Sequence, residues 1–220
     1  DHEMNAARGM NNWLDPHVPN VAALLQKAGY ATAHFGKWHL GNGDGAPPPE
    51  DYGFDVSRTI NSKGPSWDEP DNTFRAKSSA AIVNETIRFV TAHKDQPFYV
   101  NAWMLIPHAT LNPPEEQLQP YEHLQPGGKN FPFKSAAQIF YGSVTEMDKQ
   151  IGRLMKALEE LGLADNTVIL FSSDNGPEDI HVSNAGHSGI GSAGPFRGRK
   201  RSLYEGGIRV PGIVRWPGKV

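Results

Sequence analysis

Apolar positions recur along the chain in two rhythms, and the changes from one to the other outline its elements. Val18–Ala28 places Val21, Leu24, Leu25 and Ala28 on one helical face, and Gly29 supplies the stop. Ala31, Ala33 and Phe35 then alternate with Thr32, His34 and Gly36, the period of a short half-buried strand. Ser79–His93 returns to helical spacing through Val83, Ile87 and Val90. Pro97–Ile106 is an apolar run of strand length, as expected of a buried central strand. The clearest helix is Ser135–Gly162. Ser135 with Gln138 forms a capping-box pattern, and Phe140, Val144, Met147, Ile151, Leu154, Leu158 and Leu161 make a continuous stripe. Gly162 and Leu163 predict a Schellman-type end. Thr167–Ser173 reads as another buried strand and Ile208–Trp216 as a further β-type run. Helices alternating with strands predict an α/β domain with a mostly parallel sheet.

Two long Gly-rich loops interrupt this order, Asn42–Ser66 and Glu178–Gly198. Three consecutive prolines in the first forbid helix and central strand there, while Tyr52, Phe54 and Trp67 point to a packed loop. Composition narrows the function classes. The 220 residues are 38% apolar and 20% charged with net charge −3, so no basic footprint for nucleic acid or an anionic membrane exists. No apolar run approaches membrane-spanning length. The absence of cysteine excludes disulfides and thiolate metal ligands within these residues. The opening stretch DHEMNAARGMNNW has no signal-peptide apolar core.

Chemistry gathers at the ends of the predicted strands. If the backbone stays extended after Gly36, Lys37 and His39 project to one side and Trp38 and Leu40 to the other. That presents a point charge and an imidazole together, as a site for an anion requires; a strand-edge Lys and a satisfied His remain the plainer alternative. His108 follows the apolar run Pro97–Ile106, where ligands collect in open α/β sheets. Asp174-Asn175 offers two hard oxygen ligands suited to Ca²⁺ or Mg²⁺, although Asp-Asn-Gly is equally strong turn chemistry. Phe196–Arg201 is a basic knot in a mildly acidic chain, and His181 and His187 lie in the loop before it.

Taken in order, these strings resemble the sulfatase family. GYATAHFGKWHLG resembles its second signature, SSDNGPE its strand-end metal motif, and FRGRKRSLYEGGIRVPGIVRWPG its basic loop and following strand. The resemblance runs from Val18 to the last residue and implies an alkaline-phosphatase-like α/β sandwich. It also implies hydrolysis of sulfate esters by formylglycine, an oxidised Cys or Ser, with a divalent ion, generally calcium, holding the sulfate. Asp174 and Asn175 match the metal ligands. Lys37 and His39 match the pair contacting formylglycine and sulfate, with His39 the base that breaks down the sulfated intermediate. His108 and Lys200 match the groups that bind the sulfate oxygen and assist the leaving alkoxide. Ser62 falls loosely near a family serine.

The family's first signature, Cys or Ser followed by x-Pro-x-Arg, is absent. The nearest string, Ala193-Gly194-Pro195-Phe196-Arg197, begins with a residue that cannot become formylglycine. The N-terminal strand with its two metal-binding aspartates is absent too. The expectation is therefore the central part of a longer sulfatase, inactive alone, without the nucleophile segment and the C-terminal subdomain. Two rivals stay open: a phosphodiesterase or phosphonate monoester hydrolase of the same fold, and a non-catalytic relative binding sulfated glycans through Arg197, Arg199, Lys200 and Arg201. Polar loop residues His181, His187, Arg199 and Arg201 suit a sulfated carbohydrate better than a steroid or aryl sulfate. Export from the cytoplasm is implied by resemblance alone.

Overall fold

The computed structural model describes residues 4, 7–41, 45–60, 74–124, 136–179, 181 and 187–220. Contacts divide the chain into two units, Asp1–Pro70 with Ala81–Leu105, and Asp71–Ala80 with Ile106–Val220. Ser62, Trp67 and the Ser135 cap lie outside the described residues.

The first unit is built on a parallel sheet. Strand β1 (Ala31–Lys37) lies between β2 (Val56–Ile60) and β3 (Phe98–Trp103). The register sets Gly36 opposite Thr59 on one side and Trp103 on the other. The sequence pattern predicts a half-buried β1, but both of its faces are covered. Phe35 meets Phe89 of helix α2 (Phe74–Ala92), while Thr32 and His34 are fully buried on the other face. Those polar positions are tolerated because they find partners. The Thr32 hydroxyl hydrogen-bonds the Gly53 carbonyl and the Asp55 carboxylate, and His34 sits among rings. The backbone approach is equally close. A Cβ on Gly36, whose φ is +109°, would stand 2.1 Å from the Trp103 carbonyl oxygen.

Helix α1 (Val21–Lys27) begins three residues later than its pattern suggests, because Asn20 caps it by accepting from the Ala23 amide. Its expected buried face is wrong. Val21 and Leu24 are exposed and Ala22 is buried, since Gly53 packs directly on the Ala23 backbone. The long loop is packed as expected around Tyr52 and Phe54, yet it hides a 3₁₀ turn, Pro49–Tyr52, and all of β2. Ala22, Trp38, Tyr52 and Phe54 form one cluster, with Leu40 and Tyr99 against it. Strand β3 is shorter than the apolar run and only half-buried; among the described residues it pairs with β1 alone, so β1 takes the central place. α2 starts five residues before the expected Ser79.

The second unit is organised by helices α3 (Glu115–Leu118) and α4 (Ala136–Glu160). Gly142 lets the Gln117 carbonyl come within 2.3 Å of where a Cβ would stand, and Gln138 donates to the Leu118 carbonyl. The predicted stripe of α4 faces inward but is mostly half-buried, with Leu158 its one fully buried member. Its end is the expected Schellman closure: Gly162 has φ +71° and the Leu163 amide donates to the Leu158 carbonyl. Strand β4 (Ile169–Ser172) departs from its expectation. It pairs antiparallel with β5 (Gly212–Arg215), and Leu170 and Phe171 are exposed rather than buried. Most of the run Ile208–Trp216 is not strand, because Glu205–Ile208 turns as helix α5 before Pro211.

Candidate active site: two strand ends

In the first unit the extended backbone after β1 continues far enough to sort side chains by side. The Trp38 amide donates to the Ile60 carbonyl, the Leu14 amide donates to Leu40, and Trp13 bridges Gly41. Trp38 is buried, Lys37 half-buried and His39 exposed. The expected alternation of a polar pair against an apolar pair is thus present. Beneath it, His34 Nε2 donates to the Lys37 carbonyl at 3.1 Å. The His34 ring is held edge-on by Trp38, Phe54 and Trp103, with centroids 4.9–5.4 Å away. Burial pushes its pKa down to about 4, against smaller raising effects from the Lys37 and Gly36 carbonyls. His34 is therefore neutral at pH 7, and its Nδ1 is buried without a partner among the described residues.

In the second unit three glycines bring two loops into backbone contact. The Gly176 amide donates to the Gly207 carbonyl, and the Gly206 amide to Arg197. A Cβ at Gly176, Gly206 or Gly207 would stand within 2.1 Å of a backbone oxygen. Only glycine fits this seam. Pro177, Glu178 and Asp179 are then joined to the basic loop almost residue by residue. The Lys200 amide donates to Pro177, Arg199 Nε to the Glu178 carbonyl, and Arg201 to the Glu178 carboxylate. The Lys200 ammonium lies 3.4 Å from the same carboxylate. Burial pushes the Glu178 carboxyl up, but the Arg201 hydrogen bond, the Asp179 amide and the two cations outweigh it and hold it below the usual range.

The other expected site residues fall as follows. Asp174 is exposed and Asn175 half-buried just past β4, with the Asn175 side-chain Nδ2 donating to the Gly176 carbonyl. The pair has the right chemistry for a hard cation, supplying two of the roughly six to eight oxygens that calcium takes. No group of three or more His, Cys, Asp or Glu able to hold a metal occurs among the described residues. His108 Nδ1 is 2.5 Å from the Ala109 carbonyl and 3.3 Å from Arg75. Donating to the carbonyl makes Nε2 the acceptor of the ring; accepting from Arg75 makes Nε2 its donor. Arg199 donates to the carbonyls of Glu178, Gly189 and Gly191, which holds the loop together. His181 is paired with Asp179 at 2.7 Å. Burial lowers the pKa of His187, opposed by the Leu111 backbone. A cavity of about 480 Å³ is lined by Asp179 and residues 198–202, Lys200 among them.

Sequence reasoning assigned no role to Glu178, Arg75 or His34. For Glu178 a signal existed: it is an acid directly after Asp-Asn-Gly-Pro, with a basic knot downstream to answer it.

The sulfatase family profile matches residues 2–220. Human arylsulfatase A is 30% identical over 221 residues, covering 91% of this chain and 43% of the relative. An N-acetylgalactosamine-6-O-sulfatase of Bacteroides thetaiotaomicron is 27% identical, covering 94% of this chain and 53% of its own length. Ps i-CgsB, crystallised in complex with k-i-k-neocarrahexaose, superposes with a TM-score of 0.78 at 24% identity, over 97% of this chain and 50% of that one, and shares its fold. The chain spans about half the length of the curated relatives it matches. With the family profile running from residue 2 to the last residue, through both strand ends, the chain belongs to the sulfatase family.

Proposed function

We propose that this chain is part of an exported sulfuric ester hydrolase that removes sulfate from a glycan. Family membership supports sulfate ester hydrolysis, and the relative named as an N-acetylgalactosamine-6-O-sulfatase supports a sulfated sugar as substrate. No helix among the described residues is long and apolar enough to cross a membrane. The observation that carries the reading is the Lys200 ammonium, fixed on a buried carboxylate, in a residue that lines a cavity together with Asp179, Arg199 and Arg201. Such a fixed cation answers negative charge that grows on a bridging oxygen as an ester breaks.

Lys37 and His39 contribute a charge and a proton-carrying ring at the end of β1. His108 and Lys200 face the leaving group, and Asp174 and Asn175 hold the divalent ion, calcium or magnesium, by hard oxygens. When bound, that ion supplies Lewis-acid stabilisation. Formylglycine belongs to residues outside this chain. Arg201, His181 and His187 read the sugar, while Arg199 holds the loop from which they project.

The test is a full-length enzyme carrying this chain, assayed on 6-sulfated N-acetylgalactosamine, an aryl sulfate and the matching phosphate ester. Sulfate release from the sugar, lowered about 100-fold or more by Lys200→Ala, is expected. Cleavage of the phosphate ester in preference would instead support the phosphodiesterase alternative and overturn this one.

A further inference from the structure

Resting on that reading of Lys200, we infer that Glu178 is the positioning residue that sets the Lys200 ammonium against the leaving oxygen. The carboxylate is the fixed member of the pair. Its side chain is 9% exposed against 22% for Lys200. It accepts from the Asp179 amide at 2.9 Å and from Arg201, while the Glu178 carbonyl accepts from Arg199. Those contacts locate Glu178 without help from Lys200. Lys200 has a flexible four-carbon stem, whose ammonium gains a defined place only from the oxygen it meets. Arg201 adds a second constraint. Its φ is +73°, a left-handed conformation uncommon outside glycine, and it turns the chain directly after Lys200 while its guanidinium grips the same carboxylate.

The carboxylate also shapes the local charge. Arg199 is held by carbonyls, Arg197 lies over the Tyr204 ring at 3.9 Å, and Glu178 balances Lys200 and Arg201 together. The basic knot is therefore ordered: Arg199 and Arg197 have partners of their own, while Lys200 and Arg201 share the Glu178 carboxylate, so changing that one carboxylate releases both.

A positioning role predicts that loss depends on how much the leaving oxygen needs help. In the full-length enzyme, Glu178→Gln should lower kcat for a sugar sulfate about 100-fold, and for 4-nitrophenyl sulfate, whose leaving group needs little assistance, only about threefold. KM for 4-nitrophenyl sulfate, which lacks the sugar that Arg201 reads, should stay within about twofold. Glu178→Asp, which keeps the charge, should recover much of the sugar-sulfate rate. In a Lys200→Ala background Glu178→Gln should add nothing further. An equal loss on both esters, or an undiminished effect in the Lys200→Ala background, overturns the inference. If Glu178→Gln does not fold, Glu178→Asp measured on the same two esters decides by the same criterion. Failure of the unmutated enzyme to cleave any sulfate ester would overturn the proposed function instead.

Discussion

The end of β1 and the loop after β4 present their cations by opposite means. At β1 the backbone beneath Lys37 and His39 is fixed by apolar burial: Trp38, Tyr52 and Phe54 pack under it, and the buried His34 ring joins them. After β4 the support is polar. Glycine backbones dock carbonyl against α-carbon, and a carboxylate with two cations completes the joint. An apolar support fails when volume is removed, whereas a polar one fails when a partner or a backbone hydrogen bond is removed.

The largest expected effect follows from volume. Trp38→Ala should cost about 4 kcal/mol, read as lost hydrogen-exchange protection in β1, β2 and β3. A change under about 1 kcal/mol would mean that the cluster does not carry the strand end. Next comes acid. The folded pKa of His34 lies near 4, below its unfolded value of 6.5. The unfolded chain therefore binds more protons in that window, and stability present above pH 6.5 is lost as pH falls towards 4. The loss is about 3 kcal/mol for this one group. Urea unfolding followed by tryptophan fluorescence at pH 7 and pH 4 measures it, and His34→Phe should remove the His34 part of the difference. The smallest effect tests the polar side. Gly206→Ala sets a methyl against the Gly198 carbonyl and should cost about 2 kcal/mol. The expected sign is loss of amide protection at Gly176 and Lys200; retained protection there would show that the seam can open without penalty.

The sequence made the apolar support and the polar support legible to different degrees. Periodicity located α4 with its Schellman end, and alternation after Gly36 separated Lys37 and His39 from Trp38 and Leu40, because both signals are local. The two-sided burial of β1 was hidden, since Thr32 and His34 look solvent-facing until Gly53, Asp55 and the aromatic cage are in place. β2 was hidden because Val56–Ile60 carries only two aliphatic residues and follows a proline-rich loop. The exposed apolar positions of β4 misled in the other direction, as a β-branched run reports propensity rather than depth. Metal-motif and basic-loop residues could be placed by resemblance, but the carboxylate joining Lys200 to Arg201 depends on a contact across more than twenty positions.

The glycine seam also bears on how such a loop can diversify. Where Gly176, Gly206 and Gly207 touch backbone oxygens, no side chain can enter, so mutation there alters folding before it alters chemistry. The cavity wall has room to vary, because Asp179, Arg201 and Ser202 carry side chains there. Libraries built on Asp179 and Ser202 would vary that wall while leaving the Lys200 ammonium on its Glu178 partner.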